Sequence, residues 1–322
     1  MFESTRRKTL AAASLCTAVV LPIAAHATTA DAATGHVRYG VNSGGWWKTA
    51  GQTAPDAYKA AVGAYGTLGF MRLWPNSFTT TWRGGLIPSY VYDAKTAVYI
   101  NLGSDVAGVN RGAHDAAFIQ ILKTAPKDRP IWFSFAHEPE GDGFTVAAWQ
   151  QAQKRLAKLK TQYAPSNVKY APLLMGTTYM SNRYQVSASG NVPWSTWFDF
   201  DLTNVDALGA DIYQWGKSDA TADSAATVVT PVINAATSKG KGLLVGELGA
   251  RNTLSDGARA SFLGDAVKLF NASPKTQAVA YFENDNGALG PWNLLPKPGS
   301  NTPNLPKSIA TWKSAVASSP TS

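Results

Sequence analysis

Short apolar runs rich in β-branched and aromatic residues recur along the chain, separated by longer stretches that are amphipathic or loop-like. The runs cover residues 36–44, 69–76, 97–103, 130–140, 168–176, 205–215, 242–251 and 278–286. Helical stretches at 55–65, 114–125, 145–163, 255–270 and 306–318 alternate with them. The stretch 145–163 places Val146, Trp149, Leu156 and Leu159 on one face with Lys and Arg opposite. Ser255 stands where an N-cap is expected. Eight strand-like runs alternating with helices predict parallel βα units. An open doubly wound sheet has the same alternation, but the count of eight and the length favour an α/β fold closed into a (β/α)8 TIM barrel, a single domain over 33–318. Residues 177–204, rich in Ser, Asn, Tyr and Trp, read as a loop on the functional face.

The first 32 residues fall outside this pattern. A basic start, STRRKTL, leads into a short apolar stretch, followed by AHA (25–27) and ADA (30–32). This predicts a signal peptide cleaved after Ala27 or Ala32 and a secreted protein. Arg6-Arg7 partly matches a twin-arginine export signal. The one cysteine, Cys16, lies in this segment, so the remainder has no thiol for a disulfide or a metal. No later run is long enough to span a bilayer. The net charge is +8. Loss of Arg6, Arg7 and Lys8 against Glu3 and Asp31 leaves +7. The basic residues are scattered, which argues against nucleic acid as a partner and reads as a solvated surface or an affinity for acidic surfaces.

In such a barrel, chemistry gathers at the C-terminal ends of the strands. The runs end NSGGWW, RLWPN, HEPE, DIYQW, GELG and FENDN. The chain has five glutamates, Glu3, Glu138, Glu140, Glu247 and Glu283, and all but the first lie at these ends. Glutamate is a good helix former that surfaces normally use freely. Its confinement to strand ends marks these four as functional candidates. Two glutamates on facing strands suit retaining glycoside hydrolysis, in which one carboxylic acid protonates the leaving oxygen and a nearby carboxylate attacks the anomeric carbon.

AHEPEGD ending the fourth run and VGELG ending the seventh resemble the acid/base and nucleophile segments of clan A glycoside hydrolases. Histidine before the first glutamate is similar to the pattern of family 26, the β-mannanase family. The resemblance implies a (β/α)8 barrel with Glu138 as acid/base and Glu247 as nucleophile. It further implies that Arg72, His137 and Tyr213 hold and tune that pair. The implied substrate is a β-linked polysaccharide or oligosaccharide of the mannan, xylan or β-glucan type.

Structural readings stand beside these. Glu138 could cap a strand end, and Glu247 could serve only as an ion-pair partner of Arg72. Glu140 reads as a rim or substrate contact, and Asp211 as loop support. His137 lacks companions for a metal site and reads as a hydrogen-bond partner of substrate or Glu247. Trp46, Trp47, Trp74, Trp215 and Trp292 are core filler or sugar-stacking platforms, with Asn42, Asn76 and Glu283 as further substrate contacts, Glu283 alternatively as a partner of Arg251. Neither a phosphate-binding glycine loop nor a metal-ligand cluster is present, so no cofactor and no metal is expected. A monomer is the simplest expectation. Rival functions are a glycosidase for a bacterial surface glycan, a carbohydrate-binding barrel without turnover, and a metal-dependent hydrolase.

Overall fold

The computed structural model describes residues 36–42, 53–75, 77–180, 192–284, 292–295 and 305–320. All belong to one compact unit, Thr34–Ser322. The 1–32 segment and its cleavage sites lie outside the described residues, as do Trp46, Trp47 and Asn76. Among the described residues, no helix is long and apolar enough to cross a membrane.

Among the described residues nine strands form one parallel sheet: β1 (Arg38–Asn42), β2 (Phe70–Leu73), β3 (Ala97–Asn101), β4 (Ile131–Ser134), β5 (Val168–Tyr170), β6 (Leu173–Met175), β7 (Ala207–Gln214), β8 (Gly242–Ala250) and β9 (Thr276–Phe282). Their order is β5-β4-β3-β2-β1-β9-β8-β7-β6. The two end strands are halves of the fifth sequence run, interrupted at Ala171-Pro172. Proline has no N–H to give to a ladder. The run bonds to β4 below this point and to β7 above it: the Ala171 amide donates to Phe133 (2.9 Å), and the Pro172 carbonyl accepts from Gly209 (2.7 Å). That hand-over closes the ring. The protein is a single-domain (β/α)8 barrel of eight staves, one of them split.

Period two along each stave decides what enters the barrel. Phe70, Tyr99, Trp132, Leu173, Ala207 and Leu244 fill its lower interior, and the Tyr99 hydroxyl donates to the Ala171 carbonyl across it. Two residues further along β2 comes Arg72. Two and four beyond Gly209 come Asp211 and Tyr213. The apolar layer therefore gives way to polar side chains near the C-terminal ends.

Helices pack outside, against the larger apolar cluster. Thr145 and Ser255 cap Val146–Tyr163 and Asp256–Ala272 as their types predict, accepting from the Ala148 and Ala258 amides. The sequence pattern misses one long helix, Ala225–Ser238. Its β-branched residues and internal Pro231 weaken the propensity signal, and packing of its apolar face overrides it. The described part of 177–204 includes two single-turn helices, Gly176–Tyr179 and Trp194–Trp197.

Candidate active site

Glu247 owes its position to a β-bulge. Ala210 pairs with Val245 but Asp211 pairs with Glu247, so Gly246 is the extra residue. The bulge turns Glu247 into the barrel. The Asn42 amide donates to its Oε1 (2.7 Å) and the Tyr213 hydroxyl donates to its Oε2. Asn42 is fixed in turn by Trp74, whose indole N–H donates to Asn42 Oδ1 (3.0 Å). Gly246 is required here for space. A Cβ would sit 1.6 Å from Arg72 Nη1 and 2.7 Å from Asp211 Oδ1. Gly246→Ala is expected to displace a buried ion pair, lowering stability by about 3 kcal/mol or more. Thermal unfolding measures this, and an unchanged Tm would show that Arg72 has room to move.

Glu138 sits on a strained loop beyond β4. Ala136 (φ 45°) and Glu138 (φ 50°) both occupy the left-handed region that side chains disfavour. Neighbouring elements hold them there. The Ala136 amide donates to Gly103 (2.7 Å) and the Glu138 amide to Leu173 (3.2 Å). One face of the helix Val146–Tyr163 clamps the loop carbonyls: Trp149 Nε1 donates to Ala136 (2.9 Å) and Gln153 Nε2 to Phe135 (3.0 Å). The strain aims Glu138 back across the barrel mouth.

One oxygen each of Glu138, Asp211 and Glu247 lies within 4.8 Å of the others. Of the described residues, these are the group placed to hold a cation, and Arg72 already brings a positive charge to them. Its Nη1 donates to Asp211 Oδ1 at 2.6 Å, both side chains being fully buried. The guanidinium stacks over Trp74 (4.1 Å) and Tyr99 (5.1 Å). Burial pushes Glu138 well above the usual carboxylate range, and the charges of Asp211 and Glu140 push the same way. Burial also raises Glu247, to about 8, while Arg72 and the Asn42 hydrogen bond pull it down. Burial and the Arg72 charge hold His137 well below its ordinary value, so its imidazole is neutral. The two glutamates thus stand in different settings, Glu138 retaining its proton more tightly.

In fold, the chain resembles glycoside hydrolases. An endo-β-1,3-glucanase of family GH128 (subgroup II) from Sorangium cellulosum matches at TM-score 0.55 and 16% identity, over 86% of this chain and 98% of that one. Thermotoga maritima Cel5A in complex with cellobiose matches at 0.56 and 10% (86% and 96%). A GH26 β-mannanase from Bacteroides ovatus matches at 0.53 and 13% (87% and 88%). No protein-family model and no curated protein sequence matches the chain. The particular likeness to family 26 is not singled out, because three families share the barrel to a similar degree.

The structure brings Arg72, His137, Glu138, Tyr213 and Glu247 together with Trp74, Asn42 and Asp211. His137 packs edge-on against Trp74 with ring centroids 4.3 Å apart, and Asn42 and Tyr213 bond to Glu247. Trp74 and Trp215 are half-buried. Trp292 is 1% exposed, so it offers no face for stacking; it lies behind Tyr213, with ring centroids 4.8 Å apart. Glu140 is buried, not on the rim, accepting from the Met175 amide (3.1 Å) and the Thr178 hydroxyl.

Glu283 is also turned away from substrate contact. Its Oε1 accepts from the Tyr65 hydroxyl and its Oε2 from the Leu294 amide (3.0 Å), tying the segment 292–295 to the barrel. Burial raises its pKa to about 7. A carboxyl raised in the fold stabilises fully below its unfolded pKa and loses that contribution as pH rises through the folded value. The gap corresponds to about 3 kcal/mol. Tm is therefore expected to fall from pH 5 to pH 7.5, and Glu283→Gln, neutral throughout, should flatten the slope. An equal slope in the variant would assign the effect to other groups.

Proposed function

We propose that the protein is a secreted, retaining glycoside hydrolase acting on a β-linked polysaccharide, with Glu138 as acid/base and Glu247 as nucleophile. The observation that carries this is the approach of their carboxylate oxygens to within 4.8 Å at the C-terminal mouth of the barrel. Retaining enzymes need their carboxyl groups about 5–5.5 Å apart, whereas inverting ones leave room for water at about 6.5–9.5 Å. Glu247 attacks the anomeric carbon as the glycosidic C–O bond breaks, and the Glu138 proton goes to the leaving oxygen. Water then attacks the glycosyl ester, Glu138 takes its proton, and Glu247 is released. Asn42, Tyr213 and Arg72 favour the charged form of Glu247. Of the described tryptophans at the strand ends, Trp74 and Trp215 are half-buried and keep area for a sugar face.

The endo-glucanase and mannanase activities named for the structural neighbours support a β-glucan or β-mannan substrate, with xylan close in shape. The basic, apolar, small-residue pattern of residues 1–32 supports export. The test is reducing-sugar release from β-1,3-glucan, mixed-linkage glucan, β-mannan, xylan and bacterial surface glycans. Proton NMR of the first product formed then follows. A β-anomer appearing first supports the reading; an α-anomer would make the enzyme inverting and overturn it.

A further inference from the structure

Three carboxylates meet in a site whose double displacement uses two. The third, Asp211, is fully buried: Arg72 bonds to its Oδ1 at 2.6 Å, its Oδ2 has no hydrogen-bond partner, and one of its oxygens lies within 4.8 Å of Glu138. We propose that Asp211 is a positioning residue for the acid/base: bonded to Arg72 through one oxygen, it accepts the proton of Glu138 with the other and keeps that proton in place until the leaving group arrives. The inference rests on the retaining reading above.

The charged and titratable groups around Glu138 are Arg72 from β2, Asp211 and Tyr213 from β7, Glu247 from β8, and His137 and Glu140 from its own loop. Tyr99 from β3 faces Arg72 and Asp211. His137 is neutral, and Arg72 bonds to Asp211 Oδ1, so the group within 4.8 Å of Glu138 that still has an oxygen without a partner is a carboxyl and not a cation. Two adjacent carboxylates in a buried site share a proton, because both cannot be ionised cheaply.

The charge balance shows what this does. With Glu138 protonated, Arg72 positive and both Asp211 and Glu247 negative, the four groups carry one net negative charge. Forming the glycosyl ester neutralises Glu247, and giving up the proton charges Glu138, so the net charge is unchanged. Glu138 and Asp211 then face each other as anions with no proton between them. That repulsion makes Glu138 a stronger base toward the incoming water, and taking up its proton restores the hydrogen bond. Asp211 therefore favours the second half of the cycle, and it protects the proton needed for the first. Asparagine at 211 would instead donate to ionised Glu138 and stabilise it.

The chain's five glutamates make a direct test practical. Labelling the glutamate carboxyl carbon with 13C gives five resonances in the full chain and four once the segment carrying Glu3 is removed, and Glu138→Gln identifies that of Glu138. In Asp211→Asn the Glu138 midpoint is expected to fall by about one pH unit or more. The alkaline limb of kcat/KM should move the same way. A folded Asp211→Asn protein with the Glu138 midpoint unmoved would overturn the proposal and leave Asp211 only a partner of Arg72. Should that variant not fold, the pair variant Arg72→Met/Asp211→Asn removes the buried ions together; loss of Arg72 by itself raises Glu138, so a midpoint that still falls supports the proposal and one that holds or rises overturns it. The titration needs no substrate. A shifted midpoint in a protein without glycosidase activity would refute the catalytic reading while leaving the proton coupling in place.

Discussion

Glu247→Gly is expected to lower kcat on polysaccharide by about 10⁴-fold or more, because no group then remains to form the glycosyl ester. The loss should be almost entirely in kcat, since Asn42, Trp74 and Arg72 still shape the pocket. Added azide distinguishes this from collapse of the site. The missing side chain leaves space on the nucleophile's side of the sugar, so azide can attack there while Glu138 protonates the leaving group. On an activated aryl β-glycoside the rescued product should be the α-glycosyl azide, inverted by a single displacement. Tm is expected to hold or rise, because a buried carboxyl is lost with no cation stranded: Arg72 keeps Asp211. Activity within tenfold of the parent protein would end the assignment of Glu247 as nucleophile.

The barrel was legible in the sequence because strand period and helical period alternate cleanly, and because the fifth run was counted once although Pro172 divides it between two partners. The ends of runs also located the height at which chemistry would sit. They did not tell which way each side chain would turn. Trp292 and Glu283 lie at the right level but face inward, one behind Tyr213 and the other onto Tyr65 and the 292–295 amides. Asp211 reads as support in the sequence, yet its spacing from Tyr213 carries the missing signal. Residues two apart on one strand share a face, so if Tyr213 enters the site, Asp211 lines the barrel beneath it. The bulge at Gly246 had no such signal, because a phase change in a strand is set by the partner strand and by the bulk of Arg72. Likewise the left-handed backbone of Ala136 and Glu138 depends on clamps from Trp149 and Gln153, which are not adjacent in sequence.

Glu138→Ala should show a loss that depends on the leaving group. On polysaccharide, whose alkoxide leaves poorly without a proton, the expected fall is about 10³–10⁴-fold. On a dinitrophenyl β-glycoside, whose leaving group needs no proton, the first step should run near its normal rate. The glycosyl ester then waits for water without a base, so a burst of phenol precedes a slow steady state. Azide needs no base, and attack on the ester from the open face gives the β-glycosyl azide, opposite to the product expected from Glu247→Gly. Opposite anomers from the two variants would place the groups on opposite faces of one sugar, which approach to within 4.8 Å alone does not establish. The alkaline limb of kcat/KM should also vanish on the activated substrate, as the proton it reports is gone. Retention of that limb would move the acid role to another buried carboxyl. Glu140, pushed by burial to about 7, is the next group to examine, although its bonds to Met175 and Thr178 point it away from the mouth. Alanine is the informative substitution because it removes the carboxyl while remaining disfavoured at φ 50°. Glycine would relax the loop at the same time, and a difference between Glu138→Gly and Glu138→Ala would measure how far backbone strain aims the acid.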